Sequence, residues 1–212
     1  MSWEPISADA FRTTVLERFE RRDALLEETG GDHVLNPGLD MGYTPPRDAA
    51  VLVPVIDRSE GATVLLTTRT NDLPSHRGQI AFPGGKIDPD DASPEDAALR
   101  EAHEEVGLER GRVEVLGRFA NYVSRTGFNV APVVGIVPAD VRLRLNPGEV
   151  ADAFEVPLGF LMSDAMHEKR SMSWKGAERH FWAMPWDDGG TPREVWGLTA
   201  GIIRMIWERL YR

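Results

Sequence analysis

The sequence predicts an α/β (α+β) protein, and three observations support that fold class. Apolar residues recur at roughly helical spacing between Ser7 and Glu28. Two β-rich runs follow, Ala49 to Ile56 and Thr63 to Arg69, and the short polar segment between them suits a hairpin connection. A clearly marked helix then begins after Ser93. Helices and strands therefore mix along the chain, as they do in an α+β domain.

The remaining segments continue this pattern. The stretch between Thr29 and Pro46 contains several Gly and Pro residues, so we expect an irregular surface segment. Beyond the central helix we predict two strands, a hairpin and a last helix, in the ranges Val113 to Val123, Phe128 to Val137, Met166 to Trp174 with Glu178 to Trp186, and Glu194 to Tyr211. We also expect a loop through Asn146 and Glu155 that leads into a short helix near Leu158.

Length and composition limit the class of protein. A chain of 212 residues with 42% hydrophobic residues suits one globular domain with an extension. There is no cysteine, which excludes a disulfide framework, a thiolate nucleophile and cysteine-based zinc or iron–sulfur sites. We see no signal peptide and no apolar run long enough to span a bilayer. We therefore expect a cytoplasmic protein with no membrane partner.

The formal charge of -10 bears on the partner. Nucleic-acid binding depends on a basic surface that displaces counterions from phosphates, so we expect no nucleic-acid partner. The charge does not exclude a small phosphorylated substrate, because metal ions and a few local arginines can reverse the field inside one cleft.

The central helix is the first candidate for chemistry. Ser93 suits its N-cap, Pro94 its first position and Gly107 its end. Successive residues turn by about 100°, which places two sets on opposite faces: Glu101, Glu104 and Glu105 with Ala97, and Leu99, Ala102, His103 and Val106.

The three glutamates Glu101, Glu104 and Glu105 repel one another on their shared face. Oxygen ligands of this kind suit Mg²⁺ or Mn²⁺, so a cation site is one interpretation. A solvated acidic face is the other, and it is the more common case for an isolated helix. The upstream Phe82 to Gly85 segment favours the metal site, because its glycines allow a backbone carbonyl to approach a ligand.

At these residues the chain resembles the Nudix hydrolase family. The run from Arg100 to Leu108 fits the second half of the family signature, Arg-Glu-aliphatic-any-Glu-Glu-any-Gly-aliphatic. The first half departs from the signature, since one extra residue separates Gly85 from Arg100 and Asp91 stands where the family has Glu. In the family that Glu mostly supports the signature Arg, so we interpret Asp91 as a partner of Arg100 and not as a metal ligand.

The resemblance implies a Nudix fold, a mixed β-sheet sandwiched between helices, with residues 1–45 as a helical extension packed on the core and 46–212 as the Nudix domain. It also implies hydrolysis of a diphosphate with Mg²⁺ or Mn²⁺. The implied metal ligands are Glu101, Glu104, Glu105 and Gly85. The implied catalytic residues are Arg100, with Glu105 or Glu149 as the base, and Glu155 is the rival of Glu149.

A second motif resembles the coenzyme A diphosphatase subgroup, which has Leu-Leu-Thr-any-Arg, a further Arg, a Gly and then Phe-Pro-Gly-Gly. Arg69, Gly78 and the segment from Phe82 match, whereas Pro74 stands in place of the second Arg. Arg77 is its nearest replacement, and site-lining and plain surface exposure are equally open for His76. The substrate-binding candidates are Arg69, Arg77, Gly78, Gln79 and Phe82.

The subgroup resemblance implies a small nucleotide diphosphate as partner, coenzyme A or acyl-coenzyme A, cleaved to 4′-phosphopantetheine (or its acyl form) and adenosine 3′,5′-bisphosphate. Two alternatives stay open: a Nudix diphosphatase acting on ADP-ribose or a dinucleotide, and a non-catalytic ligand sensor. The tryptophans Trp174, Trp182, Trp186, Trp196 and Trp207 are core residues in the more common case, and stacking on adenine is the alternative.

Overall fold

A computed structural model describes residues 3–21, 28–38, 45–70, 78–174 and 176–212. The helices are α1 Ala8–Glu20, α2 Asp32–Leu35, α3 Pro94–Val106, α4 Leu158–Leu161 and α5 Gly197–Tyr211. The strands are β1 Gly30–Gly31, β2 Arg47–Ile56, β3 Thr63–Arg69, β4 Ile80–Ala81, β5 Gly84–Lys86, β6 Glu114–Arg118, β7 Tyr122–Ser124, β8 Phe128–Val137, β9 Val150–Pro157, β10 Glu168–Trp174, β11 Ala177–Asp188 and β12 Thr191–Trp196. Short 3₁₀ turns cover Arg110–Arg112 and Asp164–Met166.

The main sheet is mixed. Its strands run in the order β1-β7-β8-β2-β3-β4, with β5 paired to β2, β6 to β8 and β9 to β3. The long pair β2 and β8 is parallel, with partners from Arg47 and Phe128 to Ile56 and Val137. The hairpin of β2 and β3 is antiparallel, as the sequence predicts. A second, antiparallel sheet contains β10, β11 and β12.

Alternation along the central strands builds two cores, one on each face of the main sheet. Alternate residues of a strand point to opposite faces. In β2, Ala49, Val53 and Val55 join the first cluster, which also contains residues of α1 and α5. Leu52 and Ile56 join the second cluster, which contains the buried face of α3. The fold is therefore the expected α+β arrangement, a mixed sheet with helices on both faces.

The N-terminal helix α1 packs against the first cluster. Ser7 caps it, since its Oγ accepts a hydrogen bond from the Ala10 N–H, and Phe11 is fully buried on its inner face. The Phe19 ring lies 5.2 Å from that of Phe119. The helix ends at Glu20, earlier than the predicted Glu28; positions 22–27 lie outside the described residues.

Several predicted elements differ from the structure. The predicted strand from Val113 to Val123 is divided into β6 and β7, and the shift in register falls near Gly117, whose φ is 148°. A Cβ at Gly117 would lie 2.5 Å from the Phe19 ring. Phe19 of α1 therefore packs directly against the β6 backbone at the position where β6 is irregular.

Two further corrections concern the C-terminal half. The residues around Glu155 form strand β9, paired with β3, and not a loop. Glu194 to Trp196 belong to β12, so the last helix begins only at Gly197. Pairing with another strand decides both cases: β9 pairs with the distant β3, and β12 pairs with the preceding β11.

Other predicted elements are present in the structure. Strand β8 covers the predicted Phe128 to Val137, and the hairpin of β10 and β11 confirms the predicted pair about Lys175, itself outside the described residues. The short helix near Leu158 is present. Within the described ranges, no helix combines the length and the apolar character needed to cross a bilayer.

The packing of α1 gives a first prediction. Phe11→Ala should lower the free energy of unfolding by about 3 kcal/mol, because it removes a fully buried ring and leaves a cavity. Leu16→Ala on the same helix is the matched control, since Leu16 is largely exposed, and should cost less than about 1 kcal/mol. Urea denaturation measures both. Equal small effects would mean that α1 does not contribute to the core.

Candidate functional site

The helix α3 has the predicted ends. The Ser93 Oγ accepts a hydrogen bond from the Asp96 N–H at 3.2 Å, and Pro94 occupies the first turn. Gly107 caps the other end with a left-handed φ of 69°, a conformation that a side chain disfavours. The Gly107 and Leu108 N–H groups donate to carbonyls of the last turn. These local interactions fix where the glutamates lie along the helix.

The faces of α3 differ from the predicted division at three positions. Ala97 and Glu105, predicted on the face for cations, are buried, and His103, predicted on the other face, is exposed. The prediction that His103 lies on the core face is therefore wrong. Glu105 lies at the edge of the core face, because residues three apart share a helix face and Ala102 is buried.

Glu105 has the least solvent of the three glutamates, with a side chain 4% exposed. Its Oε2 accepts a hydrogen bond from the Gly84 N–H at 3.2 Å. Its Oε1 lies 3.5 Å from Arg69 Nη1. Burial is the main cause that raises the Glu105 pKa to about 7, the carboxylates of Glu101 and Glu149 raise it further, and Gly84 and Arg69 oppose the rise.

Glu101 lies against the β5 backbone. A Cβ added to Gly85 would stand 2.4 Å from the Glu101 carboxyl carbon, so only glycine allows this approach. Burial raises the Glu101 pKa, the Arg100 hydrogen bond and charge lower it, and the carboxylates of Glu104 and Glu149 raise it. The structure thus brings Gly85, Glu101, Glu105 and Glu149 together.

Glu149 comes from a loop 44 positions after Glu105, and backbone hydrogen bonds hold that loop to the helix. The Asn146 N–H donates to the Glu105 carbonyl at 2.9 Å and the Arg144 N–H to the Val106 carbonyl at 2.8 Å. On the other side, the Thr70 N–H donates to the Glu149 carbonyl at 2.9 Å. Asn146 Nδ2 also donates to Glu149 Oε1 at 3.3 Å. The unsatisfied carbonyls of a helix end therefore position a distant carboxylate.

Arg100 and Asp91 form the predicted pair. Arg100 Nε donates to Asp91 Oδ1 at 2.9 Å and Nη2 to Oδ2 at 2.8 Å. The Asp91 side chain is only 3% exposed. The hydrogen bonds from Arg100 lower the Asp91 pKa to about 2. The extra residue in the loop leaves this two-point contact intact.

The same guanidinium also reaches the metal-ligand candidates. Arg100 Nη1 donates to Glu101 Oε1 at 3.0 Å and to Glu104 Oε2 at 3.2 Å, and Nη2 donates to the Lys86 carbonyl at 3.0 Å. Glu104 is the most open of the three glutamates, with a side chain 51% exposed. Arg100 therefore orients two carboxylates and the β5 backbone at once.

The donor set fits a hard divalent cation in its chemistry. Carboxylate oxygens are the ligands that Mg²⁺ and Mn²⁺ prefer. Burial is the main cause of the raised pKa of Glu101 and of Glu105, and nearby carboxylates add to it. No cage of three acidic or histidine side chains closes around one point within the described ranges. Glu101 and Glu104 instead both accept hydrogen bonds from Arg100.

The other predicted residues are distributed as follows. The Gly78 N–H donates to the Arg69 carbonyl, and the Arg69 N–H donates to the Gln79 carbonyl at 3.0 Å. Phe82 is 3% exposed within the first core cluster, so its ring has almost no surface for a substrate. Arg77, with Pro74 and His76, lies outside the described residues.

Glu155 is held elsewhere on the main sheet, as a partner of Arg58 and Thr63 on the side of the β2–β3 turn. The hydrogen bonds and charge of Arg58 help to lower the Glu155 pKa, against the effect of burial. Glu149 is thus the carboxylate that lies beside α3, and Glu155 has a structural role as an ion-pair partner.

Three backbone groups of the site were not predicted from the sequence: the Gly84 N–H, the Lys86 carbonyl and the Asn146 N–H. The two glycines of the Phe82 to Gly85 segment indicate that the backbone approaches a ligand or side chain closely, and this signal could have pointed to the Gly84 N–H. Side-chain patterns carry no signal for the others.

Comparison with known proteins settles the family. The family model of the NUDIX domain matches residues 46–174. This chain belongs to the Nudix family. Nudix hydrolases act on diphosphate bonds of small nucleotide substrates and generally use divalent metal ions such as Mg²⁺ or Mn²⁺.

The similar relatives include the Nudix hydrolase NudL of Yersinia pestis (strain Pestoides F), described as uncharacterized, with 43% identity over 164 residues, 77% of this chain and 80% of NudL. NudL of Yersinia pseudotuberculosis serotype O:1b (strain IP 31758) matches equally well, with 43% identity over the same share of each chain. Among solved structures, the Nudix hydrolase RenU of M. smegmatis is 27% identical with a TM-score of 0.46, over 53% of this Nudix chain and 71% of RenU.

The buried pair of Asp91 and Arg100 gives a second prediction. At pH 7, Asp91→Asn should lower the free energy of unfolding by about 2 kcal/mol, because it weakens two charge-assisted hydrogen bonds. The folded pKa of Asp91, about 2, lies below the ordinary 3.8. The contribution of the pair is therefore complete above about pH 4 and is lost as the pH falls toward 2.

Urea denaturation at several pH values measures the difference between the two proteins, which should narrow on acidification. Asp90→Asn is the matched control, because Asp90 is an exposed neighbour in the same loop. A stability difference that stays constant down to pH 2 would contradict the assignment.

Proposed function

We propose that this Nudix protein hydrolyses the diphosphate bond of coenzyme A or acyl-coenzyme A, releasing 4′-phosphopantetheine or its acyl form and adenosine 3′,5′-bisphosphate. The observation that carries the proposal is the convergence of Glu101, Glu105 and Glu149 beside Gly85, with Arg69 at their edge. Acidic ligands and one arginine at the same place suit a substrate that brings both negative charge and bound cations.

In this proposal Glu101, Glu104, Glu105 and the Gly85 carbonyl hold Mg²⁺ or Mn²⁺. When bound, the cation supplies neutralisation of the diphosphate oxygens and a lower pKa for a water molecule. Arg100 keeps the Glu101 and Glu104 carboxylates in place through its Nη1 group, and Asp91 fixes Arg100 in turn. Arg100 is thus a positioning residue.

The chemical step is attack of water on phosphorus with cleavage of the bridging P–O bond. The water proton passes to a carboxylate, and either Glu105 or Glu149 serves in the proposal. The Glu105 pKa, about 7, suits this role, because a general base works best near the operating pH. Glu149 has the more open place, on a loop that the helix end holds next to Glu105.

The proposal assigns Arg69 to the anionic substrate. Arg69 Nε is buried, and it has no hydrogen-bond partner in the ranges that the structure describes. An oxygen of the diphosphate would satisfy the guanidinium while Nη1 keeps its contact with Glu105. Gly78 and Gln79 support Arg69 through the backbone hydrogen bonds already described, and Arg77 stays a proposed contact from the sequence.

A substrate panel tests the proposal. Coenzyme A, an acyl-coenzyme A, ADP-ribose and a dinucleotide are incubated with Mg²⁺ or Mn²⁺, and chromatography identifies the products. We expect 4′-phosphopantetheine and adenosine 3′,5′-bisphosphate. Cleavage of ADP-ribose with coenzyme A left intact would reject the substrate and retain the diphosphatase; metal-independent turnover would reject the mechanism.

The third prediction concerns Glu105. Glu105→Gln should reduce kcat by about 100-fold or more, because it removes a ligand and a base candidate from the centre of the site. The fold should be retained, since burial already disfavours the charge of Glu105. Steady-state kinetics with coenzyme A and thermal melting measure the two effects. Glu109→Gln, an exposed glutamate just past the helix, is the control. If Glu105→Gln hydrolyses coenzyme A at the wild-type rate, the proposed mechanism is rejected.

The fourth prediction concerns pH and metal. In the metal-free protein Glu105 is protonated below about pH 7, and cation binding requires its carboxylate form. The affinity for Mg²⁺ should therefore increase as the pH rises through about 7 and level off above it. Isothermal titration calorimetry in buffers of different ionisation enthalpy measures the affinity and the proton released. Glu105→Gln should flatten this dependence; a wild-type affinity independent of pH would exclude Glu105 as a ligand.

A further inference from the structure

A cavity of about 350 Å³ lies away from α3, between the β7–β8 turn, β11 and the start of α5. We call it the hairpin pocket, and the residues used below are Arg125, Arg179, His180, Phe181, Trp196 and Gly197. Its volume falls within the range of about 300–1,000 Å³ that is typical of small-molecule sites. The proposed hydrolysis makes no use of it.

The charged side chains of the hairpin pocket favour an anion. Arg125, Arg179 and His180 line the hairpin pocket, and Asp32 is its one acidic lining residue among the residues that the structure describes. Both Asp32 oxygens already accept hydrogen bonds, from the Tyr122 hydroxyl at 2.7 Å and the Arg125 N–H at 2.8 Å. Arg125 Nη1 is buried and finds no partner among the described residues. A buried guanidinium nitrogen without an acceptor is costly, so the Arg125 guanidinium would gain a hydrogen bond by shifting toward an anion in the pocket.

The first turn of α5 adds to this preference. Gly197 and Leu198 line the hairpin pocket, and the N-cap Trp196 offers no side-chain hydrogen bond to the turn. The first turn of this 15-residue helix contains no acidic residue. Free N–H groups at a helix start attract negative charge, here beside two arginines.

The hairpin pocket also has aromatic and apolar lining residues. Trp196 is 36% exposed and Met172 39% exposed, although both are large apolar residues. The Trp196 ring packs against Phe181 in a T-shaped pair with centroids 5.6 Å apart. This packing holds the indole in place while it stays open to solvent, which suits stacking of a flat ring.

The hairpin pocket is linked to the proposed hydrolytic site through strand β4. Gln79 lines the pocket, and its carbonyl accepts the hydrogen bond from the Arg69 N–H. Thr199 Oγ1, in the first turn of α5, donates to the Ile80 carbonyl at 3.0 Å. One substrate could therefore extend from Arg69 across β4 into the pocket.

We propose that the hairpin pocket binds the 3′-phosphorylated adenosine end of the substrate, with adenine on Trp196 and the 3′-phosphate on Arg125 and the α5 N-terminus. The inference rests on the proposed function, since the diphosphate itself occupies the site of Glu101 and Glu105. A second anion site beside an aromatic surface matches a nucleotide that carries a further phosphate. ADP-ribose, which lacks that phosphate, would leave Arg125 unsatisfied.

The test compares coenzyme A with dephospho-coenzyme A, which lacks only the 3′-phosphate. Arg125→Ala should raise the KM for coenzyme A about tenfold or more, with kcat unchanged and the KM for dephospho-coenzyme A within twofold of wild type. Arg125→Lys should recover part of the loss. Arg112→Ala, which removes a surface arginine paired with Asp140, is the matched control. Equal effects on both substrates, or no effect on either, would overturn the assignment.

Trp196→Leu should raise the KM for both substrates by a similar factor, because both contain adenine. Binding of adenosine 3′,5′-bisphosphate and of AMP, measured by calorimetry, separates this inference from the proposed function. One outcome is that wild type fails to cleave coenzyme A and still binds the bisphosphate more tightly than AMP in an Arg125-dependent way. That result would support the assignment of the hairpin pocket and reject the proposed reaction. If coenzyme A is cleaved and Arg125→Ala binds and cleaves it like wild type, the assignment of the hairpin pocket is rejected and the proposed function is retained. Absence of a preference for the bisphosphate would also overturn the assignment of the hairpin pocket.

Discussion

The burial of the Glu105 carboxylate is the constraint on which the site depends. A nearly dry carboxylate needs hydrogen bonds and positive charge, and here the Gly84 N–H and Arg69 supply them. To do so, β5 must lie directly beneath α3, and β3 must end where Arg69 reaches the helix. The pairing of β5 with β2 and the approach of Gly85 to Glu101 follow the same requirement. The positions of β2, β3 and β5 are therefore all needed to surround the Glu105 side chain.

Local signals predicted the parts of the fold that local interactions determine. The limits of α3 follow from Ser93, Pro94 and Gly107, because a cap is satisfied within its own turn. The limits of β8 follow from its continuous apolar run, which suits a strand covered on both faces. The pairing of Asp91 with Arg100 also follows from the sequence, through the family signature and not through any local rule.

The remaining features depend on contacts between distant residues. His103 and Glu105 exchange the faces that helical phase suggests, because the core reaches the Glu105 side of α3. The register shift within β6 falls where Phe19 of α1 fills the space beside Gly117. Glu149 lies beside Glu105 because the Asn146 and Arg144 N–H groups find the last carbonyls of α3. None of these partners is adjacent in sequence, so no window of neighbouring residues contains the information.

The second sheet has a consequence for how such a protein can diverge. Strands β10, β11 and β12 form a sheet of their own, and the glutamates of α3 lie over the main sheet. Substitutions on the surface of β11 or at the start of α5 can thus accumulate without moving the carboxylates. The hydrogen bond from Thr199 of α5 to the Ile80 carbonyl of β4 holds the start of α5 against the main sheet. The architecture separates the carboxylates from the surface that lines the hairpin pocket, so a substitution in the pocket can change ligand preference on an unchanged hydrolytic scaffold.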